Sequence, residues 1–234
     1  MKKNQLCDTV LWQYFFITYL VILVNDFSYL HSVNYIGTIT PYFIMTVYLT
    51  YSLIYLLPVF LLLFLLNRTL SFLVFTRLAK YISVLHSWFI YSLAVLVFTL
   101  VQILIYADKM IFQIYGFHLN GFVWNLVFTP GGLESLGGGR SSIVSFASIM
   151  VGFLTLQILL LVLILSFKRI QTIWRSVVTR PVIITSVVLY FIMFFFQGIT
   201  LGLSSLRGYT PVLAASKTFP LYHFLFMISS QFHA

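Results

Sequence analysis

The sequence predicts an all-α integral membrane protein, a bundle of five transmembrane helices with an external interfacial helix between the third and the fourth. Three observations predict it. The 234 residues are 61% hydrophobic and 19% aromatic. They include 13 basic and 4 acidic residues, where a soluble domain of this length carries about 58 charges. The third observation is a set of five apolar runs, each close to the ~20 residues that cross a bilayer core. So few charges cannot coat a water-facing surface, which excludes a soluble enzyme, a disordered regulator and a nucleic-acid-binding domain. The net charge of +9 does not reverse this, because the basic residues sit in short clusters between apolar runs, where orientation signals lie. The one cysteine, Cys7, excludes a disulfide framework and a cysteine metal cluster.

The first run extends from Val10 to about Leu30 and is broken late by Asn25 and Asp26. The second covers Tyr42 to Leu66 with Pro58 inside it, and the third covers Tyr81 to Tyr106 with His86 and Gln102. The fourth, Ile143 to Phe167, is the cleanest. The fifth, Val182 to about Leu203, is opened by Arg180-Pro181, and proline is tolerated in a first helical turn. Strands cannot replace these runs, because an open sheet edge cannot be satisfied in lipid. None alternates with the period of a membrane barrel. Residues 1–206 therefore read as the transmembrane domain, with an external loop at 107–142, and 207–234 as an external linker.

Orientation follows from the basic residues. Lys2, Lys3, Arg68, Arg77, Lys80, Lys168, Arg169, Arg175 and Arg180 fall on one side, against Lys109, Arg140, Arg207 and Lys217 on the other. The positive-inside rule puts the N-terminus in the cytoplasm, and five spans then leave the C-terminus outside. Lys2-Lys3 before an apolar run also suits a signal peptide, but no small-residue cleavage site follows, which favours an uncleaved anchor.

Polar residues inside the runs have ordinary explanations beside functional ones. Asp26 would cost roughly 2.5–3.5 kcal/mol at a helix centre, so Asn25, Asp26 and His31 are expected at the external interface rather than on an ion or proton path. His86 is expected to be hydrogen-bonded near the start of the third helix. Gln102, Gln157 and Gln197 read as interhelical glue, and Gly198 and Gly202 form a GxxxG compatible with close packing. Four scattered acidic residues make no carboxylate pair, and no HExxH, CxxC or GxSxG is present. The chain shows no catalytic constellation, no metal site and no need for a cofactor of its own.

The external loop carries the most information. Asp108, Phe112, Tyr115, Phe117, Phe122, Trp124 and Phe128 make it aromatic yet too polar to span, as suits a helix in the headgroup layer. Pro130-Gly131-Gly132 predicts a turn. The run Gly137-Gly138-Gly139-Arg140-Ser141-Ser142 opens the fourth helix. Its backbone N–H groups, the helix N-terminus and Arg140 form a candidate lipid-phosphate contact; the plainer reading is a flexible loop with a serine cap. Arg207 and Lys217 are further candidates for anionic lipid on the same side.

The pattern Asp108, Phe112, His118-Leu119-Asn120, Val123-Trp124, Leu126-Val127 and Pro130 resembles the YejM/PbgA-type inner-membrane proteins of Gram-negative bacteria. A weaker match extends to Arg180-Pro181, Tyr209, Pro211 and Pro220-Leu221. The resemblance implies a five-helix anchor followed by a periplasmic domain of the sulfatase/alkaline-phosphatase superfamily, where the metal ligands and nucleophile reside. It implies an inner-membrane role in lipopolysaccharide or envelope-lipid homeostasis, with membrane lipids as partners. It also implies a cytoplasmic regulatory partner, for which loops 67–80 and 168–180 are available. The segment Leu221 to Met227 departs from lipid A-binding relatives in having no Arg or Lys. The other readings are a small transporter or channel, with a path lined by Asn25, Asp26, Gln102 or Gln197, and a complete membrane enzyme acting on lipids.

Overall fold

The computed structural model describes residues 2–31, 33, 35–73, 79–130 and 140–219. In chain order they form α1 (Lys2–His31), α2 (Thr40–Leu73), α3 (Ala79–Tyr115) and α4 (Gly121–Phe128). There follow α5 (Arg140–Ser166), α6 (Lys168–Val177), α7 (Arg180–Arg207) and α8 (Thr210–Ser216). No strand occurs among the described residues. Five helices, α1, α2, α3, α5 and α7, are long and apolar enough to cross a membrane. The protein is thus an all-α membrane protein with the five spans expected and a short helix between the third and the fourth.

Composition explains why helices win: in lipid a helix satisfies its own backbone, whatever its side chains. The exposed surface shows the same preference. The only buried residues of α7 are Gln197, Thr200 and Ser204, which are three and four residues apart and share one face. Its Ile183, Val187, Phe191, Phe195 and Ile199 are exposed, an arrangement that water would penalise and hydrocarbon favours.

The chain divides into two compact units, to each of which α1, α2 and α3 contribute a segment. The first comprises Met1–Ile22, Ile54–Ile103 and Ser141–Thr179. Its core is aromatic: Phe60 packs on Trp12 at 4.5 Å and on Phe15 at 4.3 Å, and Tyr14 packs on Phe98 at 5.1 Å. The Tyr14 hydroxyl donates to the Gln157 carbonyl, and the Thr18 hydroxyl to Gln157 Oε1, each at 3.3 Å. Gln157 is therefore the interhelical link expected of it. At one end Asn67 Nδ2 donates to Asp8 Oδ1 at 2.7 Å, and Arg68 pairs with Asp8 Oδ2 at 3.2 Å.

The second unit comprises Leu23–Leu53, Leu104–Arg140 and Arg180–Ala234. Here Gln197 Nε2 donates to Thr50 Oγ1 at 2.8 Å, again as expected. Turns are set by glycine where the backbone needs it. Gly116 ends α3 at φ 73°, with its N–H on the Phe112 carbonyl at 2.9 Å, a left-handed position that suits glycine. Gly37 lies at φ 85°, and a Cβ there would collide with the Tyr209 hydroxyl.

Several expectations need correction. Asp26 is not at an exposed interface: it is 3% exposed and accepts from the Ser52 hydroxyl at 2.7 Å. Within the span that bond offsets part of its desolvation cost. His86 Nε2 has no hydrogen-bond partner among the described residues. Gly202 is exposed with no atom within 4 Å of an added Cβ, so it takes no part in close packing among the described residues. The connection 168–180 contains α6, and the stretch 207–234 contains α8, detail that the loop and linker readings did not specify.

Candidate functional site

Of the loop-motif residues, His118 and Leu119 meet at Asp108, in the last turns of α3. This carboxylate is 4% exposed, and an isolated buried charge is costly unless every lone pair is used. It is well used here. Oδ2 accepts from the Tyr29 hydroxyl of α1 at 2.8 Å and faces His118 Nδ1 at 2.8 Å. Oδ1 accepts from the Leu119 backbone N–H at 2.6 Å. The spacing between Asp108 and His118-Leu119 now has a cause: α3 ends at Gly116, and the chain turns back so that the next residues meet a side chain two helical turns earlier.

The histidine also reaches out of its own loop. His118 Nε2 lies 2.9 Å from the carbonyl oxygen of Lys217, just beyond α8. Phe112 stacks on the His118 ring at 4.4 Å and 9°, and Tyr29 contacts Phe219 at 6.1 Å. One carboxylate thereby ties together α1, the end of α3, the loop before α4 and the segment after α8. In this cluster the Tyr29 hydroxyl is the donor and Asp108 the acceptor.

Asn120 begins α4. Its extended backbone and its Oδ1, which accepts from the Val123 N–H at 3.1 Å, make it the N-cap. Val123 is buried, whereas Phe122, Trp124 and Phe128 are exposed, with Trp124 stacked on Phe128 at 6.0 Å. The short helix thus presents an aromatic face, and Pro130 follows it, exposed.

Of the lipid-phosphate candidates only Arg207 and Lys217 have described side chains. α5 does start at Arg140, but Gly137–Gly139 and the side chains of Arg140, Ser141 and Ser142 lie outside the described residues, as do Gly131 and Gly132 of the expected turn. Arg207, in the last turn of α7, and Lys217 are exposed. What Lys217 gives the Asp108 cluster is its backbone carbonyl. Its side chain is not part of it.

A second polar group lies in the same unit. Ser52 donates to Asp26 Oδ2 and also to the Tyr48 carbonyl at 3.0 Å, and the Tyr48 hydroxyl donates to the Leu23 carbonyl. Asp26 Oδ1 has no hydrogen-bond partner among the described residues. Lys109, whose ammonium lies 5.1 Å from the centre of the Tyr106 ring, is the cation within electrostatic reach of Asp26. Among the described residues no three His, Cys, Asp or Glu side chains could share a metal ion. An open recess of about 220 Å³ lies between Val33 and Ile36 and the α8 residues Thr210, Pro211 and Ala214.

Sequence reasoning missed Tyr29 and Ser52. Both are ordinary residues in apolar runs whose partners lie 79 and 26 positions away, and no local pattern signals such a pairing. It also missed α6, for which there was a signal. Ile170, Ile173, Trp174 and Val177 recur at helical spacing among Lys168, Arg169 and Arg175, and Trp174 packs against Phe16 at 5.3 Å.

No curated protein and no solved structure matches the chain significantly. One family model does, the domain of unknown function DUF3413, over residues 1–231. With nearly its whole length matched, the chain belongs to the DUF3413 family.

Proposed function

We propose that this chain is the membrane-anchoring and lipid-facing N-terminal domain of a sulfatase-like inner-membrane protein that works in envelope-lipid or lipopolysaccharide homeostasis. In this reading the N-terminus is cytoplasmic, the Asp108 cluster faces the periplasm, and a sulfatase-like hydrolase or transferase domain follows the chain. The observation that carries it is the contact of His118 with the Lys217 carbonyl. An anchor that positions a further domain must hold the segment leading to it, and here that segment is fastened to the end of α3 through a buried carboxylate. The exposed aromatic face of α4 suits the headgroup layer. Arg207 and Lys217 are exposed cations available to anionic headgroups, joined in this proposal by Arg140, Ser141 and Ser142. In this reading the basic residues of the 67–80 and 168–180 connections lie on the cytoplasmic side, where they are available to a regulatory partner. A transporter reading has less support, since Asp26, Gln102 and Gln197 are each at most 3% exposed.

The test is to deplete the protein and measure the ratio of lipopolysaccharide to phospholipid in the outer membrane. The proposal expects the ratio to change and wild-type protein to restore it. An unchanged ratio contradicts the proposal.

A further inference from the structure

Both ring nitrogens of His118 meet acceptors. Nδ1 lies 2.8 Å from Asp108 Oδ2, and Nε2 lies 2.9 Å from the Lys217 carbonyl oxygen. A neutral imidazole carries a single N–H. Asp108 is itself fully engaged as an acceptor, from Tyr29 at Oδ2 and from the Leu119 N–H at Oδ1. A peptide carbonyl has no proton to offer. The two contacts of His118 therefore need one proton more than a carboxylate and a neutral imidazole hold between them. This is true whether that proton is written on the ring or on the carboxyl.

We propose that the Asp108–His118 pair is a proton-operated clasp on the chain at Lys217: with its extra proton it holds the segment after α8 to the end of α3, and without it the segment is released.

The sign follows from which bond survives. A neutral ring keeps its one N–H on the Asp108 carboxylate, because a hydrogen bond to a charged acceptor is the stronger of the two. Nε2 then turns a lone pair toward the lone pairs of the Lys217 carbonyl, and an attractive contact becomes a repulsive one. The proton leaves to solvent past the His118 side chain, which is 21% exposed. The clasp is closed on the acid side and open on the alkaline side.

The surroundings favour a change at the carbonyl contact over a wholesale movement of the ring. Phe112 stacks on His118 at 4.4 Å, a packing available in both states and stronger with a cationic ring. The other titratable groups near the pair are Tyr29 and Asp26 from α1, Tyr48 from α2, Lys109 from α3 and Lys217 itself. Tyr29 remains a donor to Asp108, and Asp26 is engaged by Ser52 and faces Lys109. The Lys217 side chain is exposed. None of them provides the second ring N–H. The inference concerns a local contact and holds or fails independently of what the chain anchors.

The test uses the whole chain in phospholipid nanodiscs with Cys7→Ser and a nitroxide on Lys217→Cys, a position whose side chain is exposed while its carbonyl makes the contact. Label mobility is followed by electron paramagnetic resonance between about pH 5 and pH 9. The proposal expects an immobilised label at the acid end and a mobile one at the alkaline end. Through the transition, the open-to-closed ratio should change about tenfold per pH unit, as loss of one proton requires. His118→Phe, which keeps the stack on Phe112 but has no donor, should give a mobile label at every pH. Should that variant fail to fold, His118→Gln takes its place and should likewise remove the pH response. A wild-type label that does not respond to pH overturns the proposal. So does a response that persists unchanged in the His118 variant.

Discussion

Asp8 in one unit and Asp108 in the other are both ionisable carboxylates near the ends of long apolar helices, yet they are built in opposite ways. Asp8 meets Arg68, whose side chain is 61% exposed, and accepts one further bond from Asn67. Asp108 is 4% exposed and is enclosed by Tyr29, His118 and the Leu119 N–H. The first is a half-open pair: Asp8 is itself 17% exposed, and solvent reaches it from the Arg68 side and partly screens it. The second has no solvent to fall back on, so every group around it is required. Burial decides how much each carboxylate matters, and the consequential charge is the one where the loop before α4 and the segment after α8 meet.

That contrast can be broken in order of size. Asp108→Ala removes one partner of a buried pair and should cost about 3–5 kcal/mol, read as a large loss of thermal stability in detergent. If it costs no more than a surface change, the burial argument fails. Tyr29→Phe deletes one donor to the same carboxylate and should cost about 1.5–3 kcal/mol, the range for a hydrogen bond to a charged group. Its thermal unfolding should fall between wild type and Asp108→Ala. Asn120→Ala removes the cap of α4 and should cost about 1 kcal/mol, with faster amide exchange confined to residues 121–124. Arg68→Ala in the other unit should cost at most about 1 kcal/mol, and even that should fade at high salt. An Arg68 effect as large as that of Asp108 would erase the distinction between the two units.

Much of this was legible in the sequence, and the reason is physical. Five spans follow from apolar runs because a bilayer demands length and hydrophobicity and little else. The loop motif was visible because Asp108, Phe112, His118, Leu119 and Asn120 are close in the chain and interact locally. Tyr29 was hidden because a tyrosine in an apolar run resembles its neighbours until tertiary packing supplies a carboxylate. Asp26 was misread because its cost was weighed without Ser52, which arrives from another helix. α6 was missed because its cations were counted as loop charges while the apolar stripe between them went unused. The role of Lys217 lay in its backbone, which no side-chain pattern reports.

The central claim is that Asp108 and His118 act as one device, and a double-mutant cycle tests it most directly. Unfolding free energies are measured for Asp108→Asn, His118→Phe and the pair together, in the same detergent and at an acidic pH. A coupling of about 1 kcal/mol or more between the two substitutions is predicted, as for residues in one hydrogen-bonded network. Additivity within about 0.5 kcal/mol, the behaviour of independent sites, would contradict it.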